Sequence, residues 1–180
     1  QAWNQELGKI KVEGKDKEAL KICYTALYHA MIAPSTFCDV DGSYRGADGQ
    51  AHENPGYQTY TTFSLWDTYR AAMPLYSIFQ SERYTDMINT MLAIYKEQDK
   101  LPVWHLHGCE TNCMVGNPGI IPVADAIVKD LPGIDYELAF EAMKASALRP
   151  DRGQEHRMKD GYIPCDLMNE SVAYDLEYAL

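Results

Sequence analysis

The chain is short of positive charge. Its 180 residues carry 16 Lys and Arg against 26 Asp and Glu, a formal net charge of −10. With no basic patch to offset phosphates, nucleic acid and anionic membranes are excluded as partners. A neutral ligand or a cation fits better. No apolar run approaches the length of a membrane span. There is no glycine-rich phosphate loop, no G-x-S-x-G and no H-E-x-x-H, so the enzyme classes built on those motifs have no support. The cysteines are odd in number and scattered: Cys23, Cys38, Cys109, Cys113 and Cys165. That is not a disulfide framework, and it leaves the compartment open. The start, Gln1-Ala-Trp-Asn, is neither an initiator Met nor a secretory signal, and the chain is read as beginning inside a larger protein.

What is present describes an ordered globular domain. Apolar residues make up 46% and charged residues 23%, and the length suits one buried core. Thirteen Tyr and three Trp stand out. Aromatics with acids and amides line carbohydrate sites, where rings stack on sugar faces. Ordinary core and surface Tyr would give the same composition.

The apolar pattern is mostly helical. Leu20, Cys23, Leu27 and Met31 recur at helical spacing within residues 16–33, and Pro34 stops the run. Residues 35–62 lack that period. They hold the turn dipeptides Asp41-Gly42 and Asp48-Gly49 and end in the strand-like stretch Thr59 to Phe63. Ser64 reads as an N-cap with Asp67 at the third helical position, and Pro74 is expected to end or kink the helix that follows. A further helix spans 83–98, with Met87, Ile88, Met91, Leu92 and Tyr95 on one face. Leu101 to Trp104 is an extended connector. Pro122 fits the first turn of a helix through Ile127 and Val128. Asp135 caps a helix from Tyr136 to Leu148, with Leu138, Phe140, Ala142 and Met143 inside. Arg149 to Asp160 reads as an exposed loop. Asp166 or Asn169 starts a last helix. Helix–loop–helix units with little strand imply a mainly α fold, an α/α toroid or helical array.

Four constellations carry possible chemistry. Glu110 stands alone among aromatic, small and sulfur-bearing neighbours. A carboxylate in apolar surroundings holds its proton to higher pH, as a general acid must. The same residue could simply cap a turn. His105, His107, Cys109 and Cys113 offer zinc donor types at a non-standard spacing. In an extended stretch His105, His107 and Cys109 would share a side. Packed free thiols are the plainer reading. Asp39 to Gly46 opens like a calcium loop but has Tyr44 where an EF-hand needs Gly, and Gln50 where it needs Glu. Trp66 and Asp67 could stack on and hydrogen-bond a sugar, or be core and helix terminus.

Taken together these segments resemble glycoside hydrolase family 92, the calcium-dependent exo-acting α-mannosidases. The resemblance runs through Tyr24-Thr-Ala-Leu-Tyr-His29, Asp39-Val-Asp-Gly-Ser-Tyr-Arg-Gly46 and Tyr60-Thr-Thr-Phe-Ser-Leu-Trp-Asp-Thr-Tyr-Arg70. It continues through Met91-Leu-Ala-Ile-Tyr95, Leu101-Pro-Val-Trp104, Glu110-Thr-Asn-Cys-Met-Val-Gly116, Val123-Ala-Asp-Ala126 and Glu141-Ala-Met-Lys-Ala-Ser146. It closes with Gly161-Tyr-Ile-Pro164, Glu170-Ser-Val172 and Leu176-Glu-Tyr-Ala179.

The resemblance implies that residues 1–180 are a single partial domain. They would form the N-terminal part of an (α/α) six-hairpin toroid, lacking the family's β-sandwich and the rest of the toroid. It implies removal of terminal α-mannose from glycans with inversion, with Glu110 as general acid and the base outside the fragment. Trp66, Asp67, Asn169 and Glu170 would bind substrate. Calcium would be the cofactor, its ligands partly beyond the chain, and the location periplasmic or secreted. The fragment alone is expected to be inactive, and a truncated toroid could self-associate. Asn169 replaces the His of the family's α-1,2-selective members, which leaves linkage open, and Cys109 stands where Asn is frequent. Two other readings remain: a non-catalytic helical carbohydrate-binding module, and a small zinc-stabilised helical protein.

Overall fold

The computed structural model describes residues 1–179. α1 (Ala2–Leu7) leads to α2 (Lys17–Ala30), which starts where Asp16 Oδ1 accepts the amides of Glu18 and Ala19 at 2.9 and 3.1 Å. α2 stops short of Pro34. The hydroxyl of Tyr76 donates to the carbonyls of Ala30 and Ala33 and draws that last turn onto the core.

The aperiodic stretch is built from two small antiparallel ladders. β1 (Ser35–Thr36) pairs with β4 (Tyr60–Thr61), and between them β2 (Tyr44–Arg45) pairs with β3 (Ala51–His52). Thr62 takes a left-handed φ of 64° and separates β4 from β5 (Phe63–Ser64). The strand-like run Thr59 to Phe63 is therefore two short strands. α3 (Leu65–Thr68) follows directly. Ser64 sits at its N-cap but makes no capping side-chain bond, contrary to expectation. The helix breaks at Tyr69, and α4 (Ala72–Phe79) begins anew. Pro74 lies in the first turn of α4 rather than at a helix end. The first-turn amides have no intrahelical acceptor, so a proline there loses nothing.

α5 (Ser81–Gln98) is the central helix. Tyr84, Met87, Ile88, Met91, Leu92 and Ile94 on it are buried. They pack against Met73 and Tyr76 of α4, Val123 and Ala126 of α6 (Ile120–Val128), and Ala139 and Ala142 of α7 (Tyr136–Ala147). A helix with neighbours on several sides buries more than one stripe, which is why Tyr84 and Ile94 join the expected face. Pro122 falls in the first turn of α6, and Asp135 caps α7 by accepting the Leu138 amide at 3.0 Å, both as expected. On α7 the buried stripe is Ala139, Ala142 and Ser146, small residues that allow close approach. Phe140, expected inside, is 62% exposed.

Arg149 to Asp160 is not an exposed loop. It contains α8 (Gln154–Asp160), with Gly153 and Gln154 buried at its start. The last helix, α9 (Ser171–Ala179), begins after Glu170, whose φ is 60°.

Candidate functional site

Residues distant in sequence meet on a three-stranded sheet. β5 pairs with β6 (Trp104–Leu106), and β6 pairs with β7 (Cys109–Glu110), all antiparallel. The register sets Ser64 opposite Trp104, Phe63 opposite His105, and His105 opposite Glu110. The start of α3, carrying Trp66 and Asp67, is thereby joined through β6 to the strand that carries Glu110.

His107 and Gly108 form the two-residue turn between β6 and β7, with φ of 49° and 77°. Positive φ at both positions is what a tight hairpin turn of matching twist requires. This turn overturns the extended reading of residues 105–109. Cys109 pairs with Leu106, so it lies on the opposite face of the hairpin from His105. His105 is buried while His107, Cys109 and Cys113 are exposed. Among the described residues no group of three or more His, Cys, Asp or Glu could hold a metal ion. The zinc reading thus loses its geometry.

Glu110 is half-buried, and its carboxylate is enclosed by backbone donors. Oε2 accepts the Val103 amide at 2.8 Å, and Oε1 accepts the amides of Trp104 at 2.9 Å and Asn112 at 2.8 Å. The ammonium of Lys100, itself 7% exposed, donates to Asn112 Oδ1. Burial lowers the pKa of Lys100, and the charge of Glu110 acts against that shift. His105, 2% exposed, has its pKa lowered by burial, again opposed by Glu110. Neither ring nitrogen of His105 has a protein partner among the described residues.

Trp66 packs on a small cluster of Val115, Ile163 and Tyr174, which Met168, Ala173 and Tyr178 complete. The guanidinium of Arg70 lies 4.4 Å from its ring centre, a cation–π contact. A sugar stacking on Trp66 would meet Arg70 at the ring face. Asp67 is exposed. Asn169 and Glu170 are also exposed, next to Met168 of the same cluster. Val115 follows Glu110 by five residues. The cluster therefore gathers the loop after Glu110, the start of α3 and the segment before α9 into one region.

Asp41 is turned inward on its own loop, its Oδ1 accepting the Ser43 amide at 2.9 Å and hydroxyl at 2.7 Å. Asp48 accepts the Gln50 amide at 2.9 Å and faces His52 at 3.1 Å. Both act as turn residues.

Sequence reasoning missed Arg152 and gave no role to Glu177. Arg152 sits in the stretch misread as exposed. Glu177 is 6% exposed and accepts the Asn117 amide at 2.9 Å. Burial pushes its pKa up to about 7, against the pull of that amide and of Arg152 and Arg70. The stretch from Leu176 to Ala179 had marked the position without its burial.

Comparisons with known proteins converge on one group. The model of the glycosyl hydrolase family 92 catalytic domain matches residues 1–180. The chain superposes on a family GH92 α-mannosidase from Bacteroides thetaiotaomicron with a TM-score of 0.94 at 42% identity, covering 98% of this chain and 24% of that one. That α-mannosidase has also been solved in complex with mannoimidazole. A family GH92 inverting mannosidase from Bacteroides thetaiotaomicron VPI-5482 gives a TM-score of 0.88 at 30% identity, with 98% and 25% covered. An uncharacterized secreted glycosidase from Arthroderma benhamiae is 27% identical over an aligned stretch of 197 residues that covers 99% of this chain and 21% of that protein. The chain thus spans about a quarter or less of the length of these relatives. The fold class expected from sequence, mainly α of the α/α toroid type with little strand, stands. Among the described residues no helix is long and apolar enough to cross a membrane.

Proposed function

The chain belongs to the glycosyl hydrolase family 92 catalytic domains, and from that premise we propose that it is the acid-bearing part of an α-mannosidase. The whole protein would remove terminal α-linked mannose from glycans with inversion. The observation that most supports this is the β5–β6–β7 sheet, which joins the Trp66–Asp67 helix start through β6 to the strand that carries Glu110. The α-mannosidase neighbours, one of them solved with mannoimidazole, support a mannose-configured sugar as the occupant.

Glu110 is the proposed general acid. An ionised carboxylate has about four acceptor positions, and backbone amides fill three. The proton to be transferred would sit on Oε2, the oxygen with one amide partner against two on Oε1. From there it would pass to the glycosidic oxygen as the bond to the anomeric carbon breaks, and the same amides would steady the carboxylate that results. Trp66, Asp67, Asn169 and Glu170 would hold the sugars, Glu170 on the leaving-group side. Inversion needs a second carboxylate about 6.5–9.5 Å away to activate water. We assign that base to the remainder of the protein, with residues 1–180 forming the N-terminal part of the toroid.

The described residues do not by themselves fit a calcium ion, since their carboxylates do not gather and Asp41 and Asp48 are engaged in turns. The calcium dependence the family implies would rest on oxygen ligands elsewhere, and the steps above run without it. A secreted location is proposed after the secreted relative from Arthroderma benhamiae, and the periplasmic alternative rests on the family resemblance.

The test is Glu110→Gln in the full-length protein. Turnover of a mannobiose, whose leaving group needs a proton, should fall roughly 10²- to 10⁴-fold. An activated aryl α-mannoside, whose leaving group needs none, should lose far less. Equal losses on both substrates would sink the acid assignment, and no loss on either would leave Glu110 as a hairpin clasp. The β-anomer should be the first product seen by proton NMR.

A further inference from the structure

The loop that follows Glu110 is fastened by a residue far away in sequence. Between β7 and α6 the backbone enters the left-handed region at Asn112 (φ 52°), Met114 (φ 69°) and Gly116 (φ 69°). For the two residues with a Cβ this costs about 1–2 kcal/mol each. Such a run also turns successive carbonyls away from any ladder, and they need donors. Arg152 supplies them. Its Nη1 donates to the Asn112 carbonyl at 2.8 Å, its Nη2 to the Met114 carbonyl and its Nε to the Gly116 carbonyl at 3.2 Å. One planar fork thus engages three alternate carbonyls, a match that lysine with its point charge cannot reproduce.

Arg152 is itself held. Its carbonyl accepts the Tyr178 hydroxyl at 2.9 Å, and its guanidinium lies 5.4 Å from the Tyr174 ring centre. Both tyrosines belong to α9. On the same helix Glu177 takes the Asn117 amide. The near end of the loop is tied to Glu110: the Asn112 amide donates to Oε1 while the Asn112 carbonyl is bound by Arg152. Asn112 is therefore gripped on both sides, by the carboxylate and by the guanidinium.

We propose that Arg152 is a positioning residue for Glu110. By clamping the carbonyls of residues 112, 114 and 116 it fixes the Asn112 amide against Oε1 and so sets the direction of the carboxylate. The proposal rests on Glu110 being the general acid.

Two variants and two readouts test it. In the full-length protein, Arg152→Ala and Arg152→Lys should lower kcat on a mannobiose about 10- to 100-fold with KM unchanged. Millimolar guanidinium should restore part of the activity of the alanine variant. In the same full-length variants, amide hydrogen exchange at residues 112–117 should quicken while α5 keeps its protection. Unchanged kcat, a KM that rises in step with the loss, or parent-like exchange at 112–117 would each overturn the proposal. Full activity of Glu110→Gln would remove the acid reading and the positioning role that rests on it, whereas parent-like exchange at 112–117 would remove the clamp alone.

Discussion

The Glu177 carboxylate accepts the backbone amide of Asn117 at 2.9 Å across 60 residues of chain. This bond ties α9 to the loop behind Glu110. It also places an acid where burial raises its pKa from 4.5 to about 7. The folded state then holds the Glu177 proton more tightly than the unfolded state does. That stabilisation is complete below about pH 4.5 and is lost as pH rises through 7, an effect of roughly 3 kcal/mol. Glu177→Gln keeps an acceptor for Asn117 and removes the titration. Urea unfolding from pH 4.5 to 8 should show the variant gaining on the parent as pH rises. Parallel curves would contradict this.

Gly116 has no room for a side chain. A Cβ there would lie 1.8 Å from Glu177 Oε2, and its φ is 69°. Gly116→Ala should cost about 2 kcal/mol or more from backbone strain and the displaced carboxylate. In the Glu177→Ala background the clash is gone and only the strain should remain. A double-mutant cycle with no coupling would refute the contact.

His105 works in the opposite sense on pH. Its folded pKa is lowered from 6.5 by burial, so the unfolded state takes up the proton first. Stability is present above about pH 6.5 and is lost as pH falls toward the folded value. Among the described residues both ring nitrogens lack protein partners, so His105→Phe leaves no new orphan group. The variant should match or exceed the parent in stability at neutral pH and lose less below pH 6.5. Strong destabilisation at pH 8 would show that the imidazole makes a bond it needs.

The isolated 180-residue chain is expected not to turn over an aryl α-mannoside, because the proposed base lies elsewhere in the protein. Activity that persists through repurification and vanishes in Glu110→Gln would place both carboxylates within these residues.

The helices were legible from local chemistry. Asp16 and Asp135 announce their caps, Pro122 its first turn, and the stripe from Met87 to Leu92 its face. Errors fell at local chain breaks and reversals and at one polar segment that packs inward. Pro74 begins a helix because α3 ends early at Tyr69. Arg149 to Asp160 is polar, yet it folds into α8 and lodges Gln154 in the interior. Residues 105–109 would have put His105, His107 and Cys109 on one side only if extended, and the positive φ of His107 and Gly108 reverses them.

By itself the sequence determined the helical class, the family likeness and Glu110 as an isolated acid, since periodicity, capping and motif are properties of neighbouring residues. Tertiary structure decided what surrounds that acid. The β6–β7 hairpin brought Val103, Trp104 and Asn112 to the carboxylate, and longer-range packing brought Arg152 and Glu177 to the loop behind it. Contacts across 36 to 60 residues leave no local pattern to read, because only the folded chain makes those groups neighbours.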